Sequence, residues 1–522
     1  MTTDSDIRFE SVRAPSVEHH KLDILLSHEE NLKGPINEDL VDKEVAQYVD
    51  SQPIHIDEAT NRRLKRRIDR RVLVVMIITY FLQSVDKGAL GFASIMGLQE
   101  DTHLHGTQYS WLTTVIYLVI LVVEYPENWI IQRIRIAKWL GSNIVLWGLA
   151  VTLTSVCKNF AGLVTLRAFL GGFEAVCQPS FTVLSAMWYK REEQAQTIIL
   201  WYMMNGIQQI VGGLVGFLFT LVPESAPLEP WQGLFMFHGL IAICWGLFVI
   251  YWMPDSPMKA KCFNEEEKRL ILERVRTNRT GVQNKKFRIE QVKEAFLDPQ
   301  VYAFVLIQLF TTLPSGGVGA FAAIVIKGFG YSTWETQLLQ MVTGVIQVIS
   351  MLSGVWIEKK YKMTIWPSVA AVLPTIAGAA VLCGVKATPS TRIGLLIAWY
   401  CMYSFWTAVG LALSLVTRNV AGSTKKSVVI SLTFISWAAG NAIGPQVFRS
   451  QDAPRYFPAF AVILSCFVAL AVTLVLLRYY YIWQNSIKEG KIARGEALAD
   501  EEGVHGFEDV TDRANVNFRY VY

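Results

Sequence analysis

Charge is what this sequence is short of. Asp, Glu, Lys and Arg make up 18% of its 522 residues, against about 25% in a soluble domain. The deficit is local: residues 1–70, 255–298 and 484–522 are polar, and the rest is a series of apolar blocks separated by short charged turns. That pattern excludes the three or four soluble domains which length alone would suggest. Cysteine is sparse too. The seven, at 157, 177, 244, 262, 383, 401 and 466, form no CxxC pair and six lie in apolar blocks, so they read as small buried apolar residues rather than disulfide partners or metal ligands. Residues 1–60 contain no apolar run, and the first apolar block is expected to target the chain to the membrane and stay there. GxxxxGK[ST], HExxH, GxSxG and Cys/His ligand clusters are all missing. ATP-driven pumping and the corresponding catalytic chemistries are thereby set aside; no cofactor, metal or nucleic-acid partner is expected.

What is present is apolar length. An α-helix needs about 20 apolar residues to cross ~30 Å of hydrocarbon, and blocks of that order fall at 72–97, 109–131, 138–157, 160–188, 196–222, 231–253, 300–326, 334–357, 364–385, 391–417, 427–448 and 456–481. The prediction is an all-α integral membrane protein of about twelve transmembrane helices in two six-helix bundles, 71–254 and 299–483. A polar tail (1–70), a charged linker (255–298) and a second polar tail (484–522) flank them. Both tails read as short and disordered. Lys and Arg crowd alternate loops: Arg62 to Arg71, Arg133 with Arg135 and Lys138, Lys190 with Arg191, the 259–293 segment, Lys359 with Lys360 and Lys362, and Arg418 with Lys425 and Lys426. The positive-inside bias places those loops and both termini in the cytosol. Asn278-Arg279-Thr280 matches a glycosylation acceptor but falls on that side, so it is expected to be unmodified. Glu265, Glu266 and Glu267 precede Lys268, Arg269, Arg274 and Arg276, the charge order that suits a helix dipole, and a solvated cytosolic helix is expected there.

Two bundles joined by a linker suit a secondary transporter that rocks around a midplane site. Ionisable residues inside the spans are the candidates for that site, because each costs about 2.5–3.5 kcal/mol to insert. Five stand out: Asp86, Lys87, Glu124, Arg167 and Glu174. At ~1.5 Å per residue, Asp86 lies ~22 Å from the inner face and Arg167 ~11 Å from the outer one, so the two are expected at similar depth, as partners. Glu174, seven residues after Arg167, shares its face ~10 Å deeper. A cation facing a cavity can hold an anionic solute, and a carboxylate beside it can take a proton, since low dielectric disfavours the charged form. A purely structural buried pair is the alternative reading. Asn205, Gln208 and Gln209 on the fifth span and Asn441 on the eleventh are candidate solute contacts, or ordinary interhelical hydrogen bonds. His238 reads as structural. Gly206, Gly212, Gly213, Gly216, Gly440 and Gly444 suggest close helix approach, and Pro179 and Pro314-Ser315-Gly316-Gly317 suggest breaks in the fourth and seventh spans.

These residues also resemble a known family, the fungal allantoate-permease-like anion:cation symporters of the major facilitator superfamily. The likeness runs from about residue 60 to the end. It is carried by Leu82-Gln83-Ser84-Val85-Asp86-Lys87, Gln108-Tyr109-Ser110-Trp111-Leu112, Asn159-Phe160-Ala161-Gly162-Leu163, Arg167-x-x-x-Gly171-x-x-Glu174-Ala175, Pro254-Asp255-Ser256-Pro257, Asn419-Val420-Ala421-Gly422, Ala439-Gly440-Asn441-x-x-Gly444-Pro445-Gln446 and Thr511-Asp512-Arg513 in the tail. The resemblance implies proton-coupled uptake of a small organic anion or related nutrient at the plasma membrane: a ureide, a vitamin carboxylate, a small peptide or an amino-acid-like solute. It also implies proton coupling at Arg167. Arg133 and Lys138 are candidate cytoplasmic gate residues, although Gln132 stands where the superfamily has an acid. Trp231-Gln232-Gly233-Leu234-Phe235-Met236-Phe237-His238-Gly239 departs from the family's Trp-Arg-x-Leu-Phe-x-x-Glu-Gly, losing a cation and a carboxylate together. The substrate-binding or proton-coupling candidates are therefore Asp86, Lys87, Arg167, Glu174, Asn205 and Asn441, with a small solute, protons and the bilayer as partners and a monomer as the expected state. Export of a fungal secondary metabolite and a non-transporting nutrient receptor stand as alternatives.

Overall fold

The computed structural model describes residues 56–131, 133–190, 193, 197, 200–223, 226–276, 288–494 and 511–522; Gln132, the acceptor Asn278 and most of both polar tails lie outside them. Among the described residues every regular element is helical. This is what hydrocarbon requires, because a helix satisfies its backbone hydrogen bonds within one segment. Among the described residues eleven helices are long and apolar enough to span a membrane, and Gln108–Glu124 is a shorter apolar helix. These account for the twelve expected spans, and the chain is a multi-pass membrane protein.

Helix α1 (Glu58–Ile68) runs through a π turn into α2 (Val74–Ser94), the first span. The next spans are α3 (Gln108–Ile131) and α4 (Ile136–Thr154). The fourth is two helices, α5 (Phe160–Glu174) and α6 (Cys177–Trp188). It breaks one turn ahead of Pro179, where the proline ring would meet the carbonyl of residue 175. Helices α7 (Met204–Thr220) and α8 (Pro230–Trp252) complete the first bundle. Two linker helices follow, α9 (Glu265–Arg276) and α10 (Ile289–Leu297). The second bundle holds α11 (Pro299–Gly328), α12 (Thr333–Tyr361), α13 (Ile365–Gly384), the pair α14 (Arg392–Met402) and α15 (Trp406–Asn419), α16 (Ser423–Ile443) and α17 (Phe457–Ala493). The expected break in the seventh span is absent: α11 continues through Pro314. An unexpected one appears in the tenth, a 3₁₀ turn at Tyr403–Phe405.

Caps mark the helix starts. Asn159 accepts the Gly162 N–H at 2.9 Å to open α5, and Ser332 with Glu335 forms a reciprocal capping box on α12. Across the bundle interface, α7 packs on α12, α3 on α16 and α2 on α11. Glycine permits this: a Cβ at Gly344 on α12 would lie 2.5 Å from the Gly206 carbonyl oxygen on α7.

The described parts of the linker and of the second tail pack against the bundles more closely than their composition suggested. Helix α9 is not solvated but docked: Ile271 and Arg274 are buried, and the Arg274 guanidinium donates to Glu193 at 2.5 Å and to Asn61 at 2.7 Å. Residues 511–522 pack under the second bundle. The buried Asp512 carboxylate meets Lys425 (2.9 Å), Gln300 (2.7 Å) and Tyr520 (2.8 Å). The Lys488 ammonium donates to the carbonyls of Asp512, Asn515 and Phe518. At ~1.5 Å per residue the 37 residues of α17 span ~55 Å, longer than the ~30 Å hydrocarbon, which leaves its last turns free to hold this segment.

Candidate functional site

A polar cavity opens between the two bundles in two adjoining lobes. One, of about 130 Å³, has Arg167, Gln208, Gln209, Gln347, Tyr403 and Gly316 in its wall. The other, of about 100 Å³, has Tyr80, Gln83, Tyr202, Thr312, Val409 and Trp437. Lys87, Asn205, Tyr117, Ser315, Trp406 and Asn441 line both.

Helix α2 supplies Asp86 and Lys87, and α5 supplies Arg167 and Glu174. Glu174 is fully buried, and its Oε2 takes the Lys87 ammonium at 3.1 Å. Gln83 donates to the Glu174 carboxylate (3.4 Å) and its carbonyl (3.3 Å), while Oε1 has no partner. The Lys87 side chain keeps 26% of its surface, turned to the cavity it lines. Arg167 is 3% exposed. Its Cζ lies 5.4 Å from the Phe235 ring centroid, a cation–π contact, and its Nε has no hydrogen-bond partner.

The expected Asp86–Arg167 pair is not formed: no nitrogen–oxygen contact within 4.0 Å joins them. The buried Asp86 carboxylate instead accepts the indole N–H of Trp147 on α4. Depth alone had set the two level, but helical rotation turns Asp86 toward the third span. Arg167 faces the cavity as a buried cation, and among the described residues it forms no direct ion pair. Glu124 is part-buried near the end of α3 and outside the cavity wall. Glu127, which sequence reasoning passed over, is buried and accepts from the Trp139 indole at 2.8 Å.

Asn205 is bonded to Ser84 (3.3 Å), to the Tyr80 hydroxyl (3.0 Å) and to the Tyr202 carbonyl (3.0 Å); Asn441 donates back to Trp437 at 2.9 Å. Gln208 Oε1, Gln209 Oε1, Gln347 Nε2, Tyr403 OH and Trp406 Nε1 are all without partners on residues that line one cavity. Buried polar atoms are ordinarily satisfied, so a cluster of orphans around open space marks a place for a polar guest. The aromatic lining, Tyr117, Trp406 and Trp437, was missed because such residues in an apolar block read as lipid-facing or core.

At one end of the cavity the bundles are tied together. Tyr109 donates to the Ala320 carbonyl (2.7 Å), Thr114 to Ala442 (2.7 Å), Gln446 to Thr114 (2.9 Å) and Gln337 to Phe92 (3.3 Å). These lie at the end away from residues 56 and 522. Neither gate candidate reaches the other bundle: Arg133 is stacked 3.9 Å over Trp129, and Lys138 donates to the Ile250 carbonyl.

Two helical bundles of membrane-spanning length around a polar cavity, tied at one end, are the architecture of a membrane transporter of small solutes. The profile described as "Major Facilitator Superfamily" matches residues 76–445. The allantoate permease of Saccharomyces cerevisiae is 30% identical, covering 100% of this chain and 96% of its own. A thiamine pathway transporter of the same yeast is 31% identical over 88% of this chain and 86% of its own. Among solved structures, a D-xylose–proton symporter superimposes with a TM-score of 0.59 at 12% identity, covering 77% of this chain and 96% of its own, which bears on the fold alone. The chain belongs to the major facilitator superfamily, among its fungal allantoate-permease-like transporters.

Proposed function

We propose that this transporter is a proton-coupled importer of a small organic anion, working by alternating access at the plasma membrane as a monomer with both termini in the cytosol. One observation carries the reading: Arg167, a buried guanidinium that forms no direct ion pair among the described residues, lines the central cavity beside the Lys87–Glu174 pair. An anionic group on the solute supplies the counter-charge that Arg167 lacks. Glu174 is the proton carrier. When it is protonated, the Lys87 ammonium is released to share the anion; when the proton leaves, the pair re-forms and the anion is expelled. Asp86, Asn205 and Asn441 hold the walls of this site, and Arg133 and Lys138 act when the cytosolic end closes.

The Lys and Arg bias puts the tied end on the outside, so this conformation is closed outward. One proton entering with a monoanion moves no net charge, so uptake draws on the pH gradient, about 1.4 kcal/mol for each tenfold difference in proton concentration. A solute found by growth on sole nitrogen, sulfur or vitamin sources is then followed as labelled uptake. Accumulation should rise as external pH falls and stop when a protonophore is added. Uptake indifferent to the protonophore would sink the coupling, and net efflux would reverse the direction.

A further inference from the structure

At the tied end the second bundle holds a separate cavity of about 200 Å³, larger than either lobe of the central one and sharing no residue with them. Val325 on α11, Leu382 on α13, Leu395 on α14 and Phe460 on α17 form its inner wall, and each is at most 3% exposed. Protein interiors are close-packed, with few voids larger than a water molecule, and an apolar hole of ~150 Å³ stays dry and takes up a guest the size of benzene. Lys386, exposed just after α13, and the half-buried Arg455 just ahead of α17 are the charged residues of the lining, and no carboxylate joins them. Arg455 donates through Nη2 to the carbonyls of Cys383 (2.6 Å) and Gly384 (3.3 Å), while its buried Nε has no partner.

We propose that this cavity is a second binding site, one that takes a small amphipathic carboxylate. The apolar chain lies among Val325, Leu382, Leu395 and Phe460, and the carboxylate sits between Lys386 and Arg455. The room is about a third larger than a benzene-sized hole, which suits a straight chain of about six to eight carbons. The apolar wall disfavours a strongly polar anion, and two cations without a carboxylate disfavour an ammonium head. A chain seated there packs behind the rings of the tied end. The Phe460 ring lies 5.9 Å from Phe448, which stacks at 4.7 Å on Phe321, and Phe321 meets Tyr109 of the first bundle at 5.1 Å.

Calorimetry on the full-length protein in phosphatidylcholine nanodiscs tests this with straight-chain carboxylates from propionate to decanoate, and with hexylammonium. Each added methylene should tighten binding about fourfold up to hexanoate. The gain should stop by decanoate, when the hole is full, and hexylammonium should not bind. Leu395→Trp and Leu382→Phe fill the hole and should each abolish the dependence on chain length; both are checked for a native melting temperature. Arg455→Gln, which alters only the polar end, should weaken hexanoate about tenfold and decides the matter should the filled variants not fold. In Arg167→Ala, where the central anion site is disabled, hexanoate should still bind. Loss of hexanoate in that variant would place it in the central cavity and overturn the second site. The same chain-length dependence in the filled variants would mark partition into lipid and overturn it too, as would hexanoate indifferent to Arg455→Gln, hexylammonium binding as tightly as hexanoate, or no binding by any chain.

Discussion

Helices α2 and α5 of the first bundle bring Lys87, Arg167 and the buried Glu174 to the cavity, while the second bundle offers it Ser315, Gln347, Tyr403, Trp406 and Asn441, none of them charged. The ion pair therefore lies inside one bundle. Rocking the bundles against each other need not pull Lys87 from Glu174, a separation that would strand a charge in low dielectric at a cost of about 3–5 kcal/mol. What the proposed alternating access would break are neutral contacts such as Tyr109 to Ala320 and Thr114 to Ala442, each worth about 1 kcal/mol net. Charge chemistry and mechanical closure are assigned to different contacts, and each can be attacked separately.

The largest effect is expected at Arg167. Replacing it with alanine removes a cavity-lining cation that, among the described residues, forms no direct ion pair. Losing a buried partner of an anion costs about 2–5 kcal/mol, so solute affinity should fall by at least ~30-fold with protein abundance unchanged. Transport that survives in Arg167→Ala would end the asymmetric picture of the two bundles.

Lys87→Met strands the Glu174 carboxylate and should lower stability by about 3–5 kcal/mol unless Glu174 takes up a proton. The double variant with Glu174→Gln should recover most of that stability, since both partners are then neutral, yet stay inactive in proton-driven uptake. Non-additive melting temperatures would report the pair; recovered uptake would deny Glu174 its role.

The bundles also differ in how their terminal-side ends are capped. The first is held by the linker, through Arg274 with Glu193 and Asn61. The second is held by the chain's own end, through Asp512 among Lys425, Gln300 and Tyr520. Carboxylate oxygens of Glu294, Asp298 and Asp512 all lie within 4.8 Å of one another, and the Lys425 ammonium sits among them at 2.6–2.9 Å. Asp512→Ala leaves Glu294 and Asp298 with Lys425, so its cost should sit near the lower bound of the buried-pair range, about 3 kcal/mol, read as a lowered melting temperature in detergent. Arg274→Ala should cost a similar amount, because it leaves Glu193 with Lys65 at 3.4 Å. A much smaller cost for Asp512 would make the two caps unequal.

How much of this could be read from the chain follows the physics of each feature. The spans were legible because hydrocarbon imposes a length that no soluble fold needs. Lys87, Arg167 and Glu174 were legible because charge in such a block needs a reason. Their partners were not: a depth estimate says nothing of helical rotation, so Asp86 was matched with Arg167 when its carboxylate turns to Trp147. The 3₁₀ turn at Tyr403–Phe405 carries neither glycine nor proline to announce it. The docking of residues 511–522 rests on side chains pairing with backbone, as Asn419 does with Val521 and Asn485 with Tyr520, which leaves no periodic trace in the sequence.

Asp86 is where the comparison can be sharpened most finely, since its carboxyl group is buried like that of Glu174 but held by a neutral donor. Trp147→Phe keeps most of the ring volume and removes only the indole N–H. The stranded carboxylate should cost about 1.5–3 kcal/mol, seen as a lowered melting temperature, and Asp86→Asn in the same background should recover part of it because an amide is less costly to bury unpaired. If Asp86 only braces α2 against α4, solute affinity in both variants should stay close to that of the parent while Arg167→Ala loses it. If affinity or the pH dependence of uptake moves with Asp86 as strongly as with Glu174, the first bundle carries two coupling carboxylates, and Trp147 positions one of them.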